Sequence, residues 1–298
     1  MREKPTGSRV RPEDVDHTWP EIPEWVDIRA LGGEVRADLR GLSKQGAEFV
    51  AGHLAAAGEL AETDPEQAWE HARAARSQGG RVAVVRETVG LVAYRAGKWS
   101  DAIAELRAAR RMAGGPGQLA VMADSERALG SPERAIELSK SPEAAQLDDE
   151  AAAELAIVTA GARSDLGQHE AALAALHAAA RAVEPAADFA YRVYYALAAK
   201  LLEEGRAAEA LTWFVRAADA DADDETDAAE RAESLANGGD GSPSDEAEEA
   251  EEVGWPDEAE GVEEAAKPDE ANEADDADGE SDADSEAPID DEQHGSPS

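Results

Sequence analysis

The chain predicts an all-α protein made of repeated helix pairs and followed by a long acidic tail. Three observations carry this: glycines recur at near-constant spacing, small residues stand at fixed offsets on either side of them, and the charge changes abruptly near residue 219.

The 298 residues carry a formal net charge of −39. From Asp219 to Ser298 there are 33 Asp and Glu against only Arg231 and Lys267, a balance of −31, which leaves −8 for the first 218 residues. A segment so charged and so poor in large apolar side chains cannot bury enough surface to offset the entropy of ordering its backbone. Residues 238–298 are therefore expected to be disordered, with 221–237 an acidic linker and a final capping helix ended by Gly238-Gly239. The earlier part is long enough for a continuous core. With 42% hydrophobic but only 4% aromatic residues, that core must consist of many small Ala and Leu contacts.

Several classes fall away on composition. Without cysteine there are no disulfides, thiolate zinc sites or cysteine nucleophiles. No run of about 18 apolar residues exists to span a membrane, and the basic N-terminus has no apolar segment behind it to form a secretion signal. A cytoplasmic protein without membrane contact is the expectation. No Walker loop or dinucleotide fingerprint occurs, and GGPG at 114–117 reads as a break between repeats. The six histidines form no HExxH or other ligand cluster in sequence. Asp219, Asp221, Asp223, Asp227 and Glu230 have the spacing of a calcium loop, but Asp224 stands where its sharp turn needs glycine. Tail carboxylates have no fixed geometry for acid–base work. No enzyme activity, metal or cofactor is expected.

Residues 1–19 read as a disordered N-terminus and 20–45 as a capping segment; Trp19 and Trp25, at the two ends of the proline-stiffened stretch where they meet, would seal the end of the first helix pair. Ser43 is a good N-cap, and Ala47, Val50, Leu54, Ala57 and Ala61 follow it at helical spacing.

The repeat is anchored on Gly97, Gly130, Gly167 and Gly205, separated by 33, 37 and 38 residues, the length of two helices and two turns. Seven residues before them stand Gly90, Ala123, Ala160 and Ala198; five after stand Ala102, Ala135, Ala172 and Ala210. Small side chains let two antiparallel helices approach closely, and glycine supplies the left-handed turn between them. One helical turn further come Leu106, Leu176 and Phe214. Ala68 and Ala75 mark an earlier, degenerate unit with Thr63 for its glycine. The unit at Gly130 is weak, with Ser139 in a bulky position and Pro142 closing its second helix.

These residues resemble the tetratricopeptide repeat family over about 46–220, best in VGLVAYRAGKWSDAIAELRAA through Val89, Gly90, Gly97, Trp99, Ala102, Leu106 and Ala109. The arrangement also resembles uncharacterised repeat proteins of high-GC bacteria. The resemblance implies a helix-turn-helix solenoid of about four to five units whose first helices line a concave, peptide-receiving groove. On the matched register the groove residues would be His53 in the first unit and Val84, Glu87, Leu91, Tyr94 and Arg95 in the second. Asp124 and Arg127 would follow in the third, Ile157 in the fourth, and Arg192, Tyr195 and Leu202 in the fifth. The Lys/Asn clamp that some members use is not matched, because Asn237 and Asn272 lie outside the repeats.

One region reverses the sign of the chain. Arg73, Arg76, Arg81, Arg86, Arg95, Lys98, Arg107, Arg110 and Arg111 face only Glu87, Asp101 and Glu105 in the same span, a balance of +6. This offers a site for an anionic partner, including the chain's own tail. The expected function is a non-enzymatic scaffold for a protein or peptide segment. The alternative is a nucleic-acid- or ribosome-associated regulator, which the scarce aromatics and repelling tail weigh against.

Overall fold

The computed structural model describes residues 19–241; the stretches 1–18 and 242–298, for which disorder is expected, lie outside the described residues. Among the described residues every regular element is helical. A short helix α1 (Gly33–Asp38) lies between 3-10 turns at Ile28–Ala30 and Leu39–Gly41. Helix α2 (Lys44–Leu60) starts as its sequence dictates, with Ser43 Oγ accepting the Gly46 amide at 3.1 Å. Helix α3 (Pro65–Gly79) is capped by Asp64, and Pro65 occupies the first turn, where its missing N–H leaves no bond unmade.

Four more pairs follow: α4 (Ala83–Arg95) with α5 (Trp99–Ala113), α6 (Leu119–Ala128) with α7 (Pro132–Ser139), α8 (Asp149–Asp165) with α9 (His169–Ala182), and α10 (Ala190–Glu203) with α11 (Ala207–Ala220). Helix α12 (Ala228–Ala236) packs on α11. Each second helix also packs on the first helix of the following pair, and the first helices α4, α6, α8 and α10 touch in succession. The described chain is thus a file of consecutive helix pairs.

The four repeat glycines make the turn within each of the last four pairs. Gly97, Gly130, Gly167 and Gly205 have φ of +66°, +69°, +69° and +72°. In each turn the amide after the glycine bonds the carbonyl five residues back, as Lys98 to Ala93 at 2.8 Å and Arg206 to Leu201 at 2.9 Å. This closes the helix in a left-handed C-cap that a β-carbon would strain. Ala123, Ala160 and Ala198, with Ala102, Ala135, Ala172 and Ala210, are all buried between paired helices. At Gly90 the approach is tighter still: a β-carbon would stand 2.6 Å from Leu106 Cγ. The third pair is the shortest, as Ser139 and Pro142 predict.

Two expectations need correction. Trp25 does not seal the first pair: it is 59% exposed, and Ile22 instead reaches α2 at Gly52, where the lack of a side chain admits it. Nor does the tail begin free at 238. Gly241, with φ +76°, is buried, and a β-carbon there would meet Leu202 Cδ2 at 2.9 Å and Leu235 Cδ2 at 3.0 Å. At its last residue the described chain folds back on α10 and α12.

Candidate functional site

Polar contacts join successive first helices along one face. Gln118 Nε2 donates to Glu87 Oε1 at 2.8 Å, and the Tyr94 hydroxyl donates to Asp124 Oδ2 at 2.6 Å, both bridging α4 to α6. Arg127 on α6 donates to Asp124 Oδ1 at 2.9 Å and reaches across to Asp165 on α8 at 2.8 Å. Arg192 on α10 donates back to Glu154 on α8 at 2.9 Å. Tyr195 donates to Asp227 at 2.8 Å, and Tyr191 to Glu225, linking α10 to the segment that enters α12. Burial, then the Asp124 carboxylate, push the Tyr94 hydroxyl well above its ordinary pKa, so it stays a donor. Burial works against the charge on Arg127, but Asp165 and Asp124 outweigh it and hold the guanidinium protonated.

The expected groove residues divide three ways. Tyr94, Arg95, Asp124 and Arg192 come together around one cleft of about 460 Å³, while Glu87 and Arg127 are tied to its edge through Gln118 and Asp124. Val84, Ile157 and Leu202 are half-buried against the hydrophobic clusters at the two ends of the file, and Tyr195 belongs to the cluster at the C-terminal end. Leu91 is half-buried on α4.

His53 is corrected: it is 2% exposed and points into the first pair, where its Nδ1 lies 2.9 Å from His71 Nδ1. The same periodicity that would place His53 on the groove places it against α3, because in this first pair Phe49, packed edge-on to His53 at 4.4 Å, fills the adjoining space. Burial, then the His71 ring, hold the His53 imidazole down at about 4; burial also lowers His71.

Sequence reasoning missed Gln118, Asp148, Glu150 and Glu154, which complete the cleft. A signal for them existed. Tyr94 and Asp124 are 30 residues apart, and Arg127–Asp165 and Glu154–Arg192 each 38, so complementary partners recur about one repeat away.

The basic region is largely committed to internal pairs. Arg76 and Arg86, from α3 and α4, both hold Glu105 of α5 at 2.6 Å, and its side chain is only 5% exposed. Arg107 holds the buried Glu126 at 2.7 Å. Arg73 pairs with Glu70, Arg95 with Glu62 and Lys98 with Glu66. The count of +6 included Glu105 but omitted Glu62, Glu66, Glu70 and Glu126, which lie outside the span in sequence and pack onto it in the fold. Arg81, Arg110 and Arg111 bond no carboxylate among the described residues.

The calcium-like aspartates close a loop. Asp221 accepts the amides of Glu225 at 2.9 Å and Thr226 at 2.8 Å, and Asp227 accepts from Arg231 at 2.7 Å. Asp224 adopts the left-handed φ of +50° that glycine would take. Among the described residues no three His or carboxylate side chains are grouped to hold a metal ion, and no helix is long and apolar enough to cross a membrane.

File and face together define an all-helical protein of consecutive helix pairs with a polar first-helix face. No protein-family model matches the chain, and no curated protein matches it.

Proposed function

We propose that this is a non-enzymatic, cytoplasmic binding scaffold, a tetratricopeptide-like solenoid that receives a protein segment along its first-helix face. The observation that carries the reading is the cleft between α4, α6, α8 and α10, where Tyr94, Arg95, Asp124 and Arg192 from three different repeats converge. Stacked helix pairs suit this role because each adds a strip to one continuous surface. The test is affinity purification of the tagged full chain from its native cell beside two rim variants, Arg95→Glu and Glu150→Lys. A defined protein lost with either variant supports the scaffold. Partners retained by both, or turnover of a substrate, overturn it.

A second reading rests on Arg81, Arg110 and Arg111. None of the three bonds a carboxylate among the described residues, and Arg81 and Arg111 are exposed, so their charge is open to an anionic ligand, whether nucleic acid or the chain's own acidic tail. RNA binding that falls steeply with salt and disappears when the three arginines become glutamate supports this reading. Binding indifferent to them excludes it.

A further inference from the structure

We propose that the first-helix face selects a basic protein segment and seats a lysine or arginine side chain in the cleft; this rests on the scaffold reading and names its partner class. Arg95 pairs with Glu62 at 3.5 Å, Arg127 with Asp124 and Asp165 at 2.9 and 2.8 Å, and Arg192 with Glu154 and Glu150 at 2.9 and 3.5 Å. Each guanidinium is already neutralised by a carboxylate of this chain. An acidic peptide or a phosphate would have to displace one of these pairs and leave a carboxylate stranded.

The carboxylates, in contrast, are in surplus. The cleft is lined by two cations, Arg95 and Arg192, and by four carboxylates, Asp124, Asp148, Glu150 and Glu154. Glu150 is 58% exposed and touches Arg192 only at 3.5 Å. A carboxylate offers about four acceptor sites, so those on the rim have capacity for an incoming donor. Beside them Tyr94, Ala120, Val121 and Ala151 supply apolar surface. That combination matches a long basic side chain, whose methylene stem lies on apolar surface while its head meets acceptors. About 460 Å³ accommodates such a side chain.

The same charge excludes the tail as occupant of this face. Residues 242–298 contain 24 Asp and Glu against Lys267, and they would be repelled by the cleft. Arg81, Arg110 and Arg111, which bond no carboxylate among the described residues, have the opposite preference.

The experiment uses the full chain and two photo-crosslinking, fluorescein-labelled decapeptides, one alternating lysine and alanine, the other glutamate and alanine. The lysine peptide is expected to bind at low salt and to crosslink to α4, α6 or α8 beside the cleft. Glu150→Lys is expected to weaken it about threefold or more, whereas Glu133→Lys, the same charge change on the exposed start of α7, leaves it within about twofold. Crosslinks confined to residues 242–298, equal loss in both variants, or equal binding of the glutamate peptide overturn the proposal. Absence of binding by either peptide, while the rim variants still lose a native partner, overturns the basic preference and leaves the scaffold standing.

Discussion

The contact between His53 and His71 makes the first helix pair sensitive to acid. At neutral pH one ring donates its Nδ1–H to the lone pair of the other across 2.9 Å. A first proton puts a charge among buried apolar side chains, and a second sets two donors face to face. His53 is held at about 4 when folded, against an ordinary value of 6.5, so between those limits the unfolded chain binds more protons. Stability should therefore fall as pH drops from 6.5 toward 4 and be fully present above that window. Thermal unfolding at pH 7 and pH 5 checks this: the double variant His53→Leu/His71→Leu should lose less stability on acidification than the parent. Equal losses would show that carboxylates alone set the acid response.

Within the helix pairs, two glycines serve different physical needs and their substitutions should fail for different reasons. Gly205 has φ +72° with open space around it, so Gly205→Ala should cost only the strain of the left-handed backbone, about 1–2 kcal/mol. Gly90 has helical backbone, but its β-carbon would collide with Leu106, so Gly90→Ala should cost about 1–3 kcal/mol from overpacking. Ala172→Trp, at a fully buried position between α8 and α9, should cost at least as much. Urea denaturation measures all three, and Ala172→Trp with parental stability would overturn the register. The ion pairs around Glu105 join three helices rather than two. Glu105→Gln leaves Arg76 and Arg86 without their shared charge and should destabilise by about 1.5–3 kcal/mol, an effect expected to survive moderate salt because the carboxylate is buried.

At the scale of the whole molecule, the file of pairs ends in α12 and the turn at Gly241, and most of the acidic charge follows it in sequence. A chain ending after Gly241 should unfold within about 0.5 kcal/mol of the full chain, since the removed residues carry almost no large apolar side chains. One ending after Asn237 should be weaker by about 1 kcal/mol, because it uncovers Leu202 and Leu235. Equal stability of both truncations would show that the Gly241 contact contributes nothing.

The sequence by itself determined the helix pairs. Glycine at 97, 130, 167 and 205 is a local requirement of a left-handed turn, and alanine at 102, 135, 172 and 210 a local requirement of close helices. Such constraints repeat with the chain and can be read from it. The partners of the charged groups could not be read the same way. Glu105 draws in Arg76 and Arg86 from two other helices, Arg192 turns to Glu154 38 residues away, and His53 meets His71 instead of the groove. Only the tertiary structure decided these pairings, because a long side chain chooses among neighbours on several helices and the choice depends on their stacking rather than on its own place in the repeat.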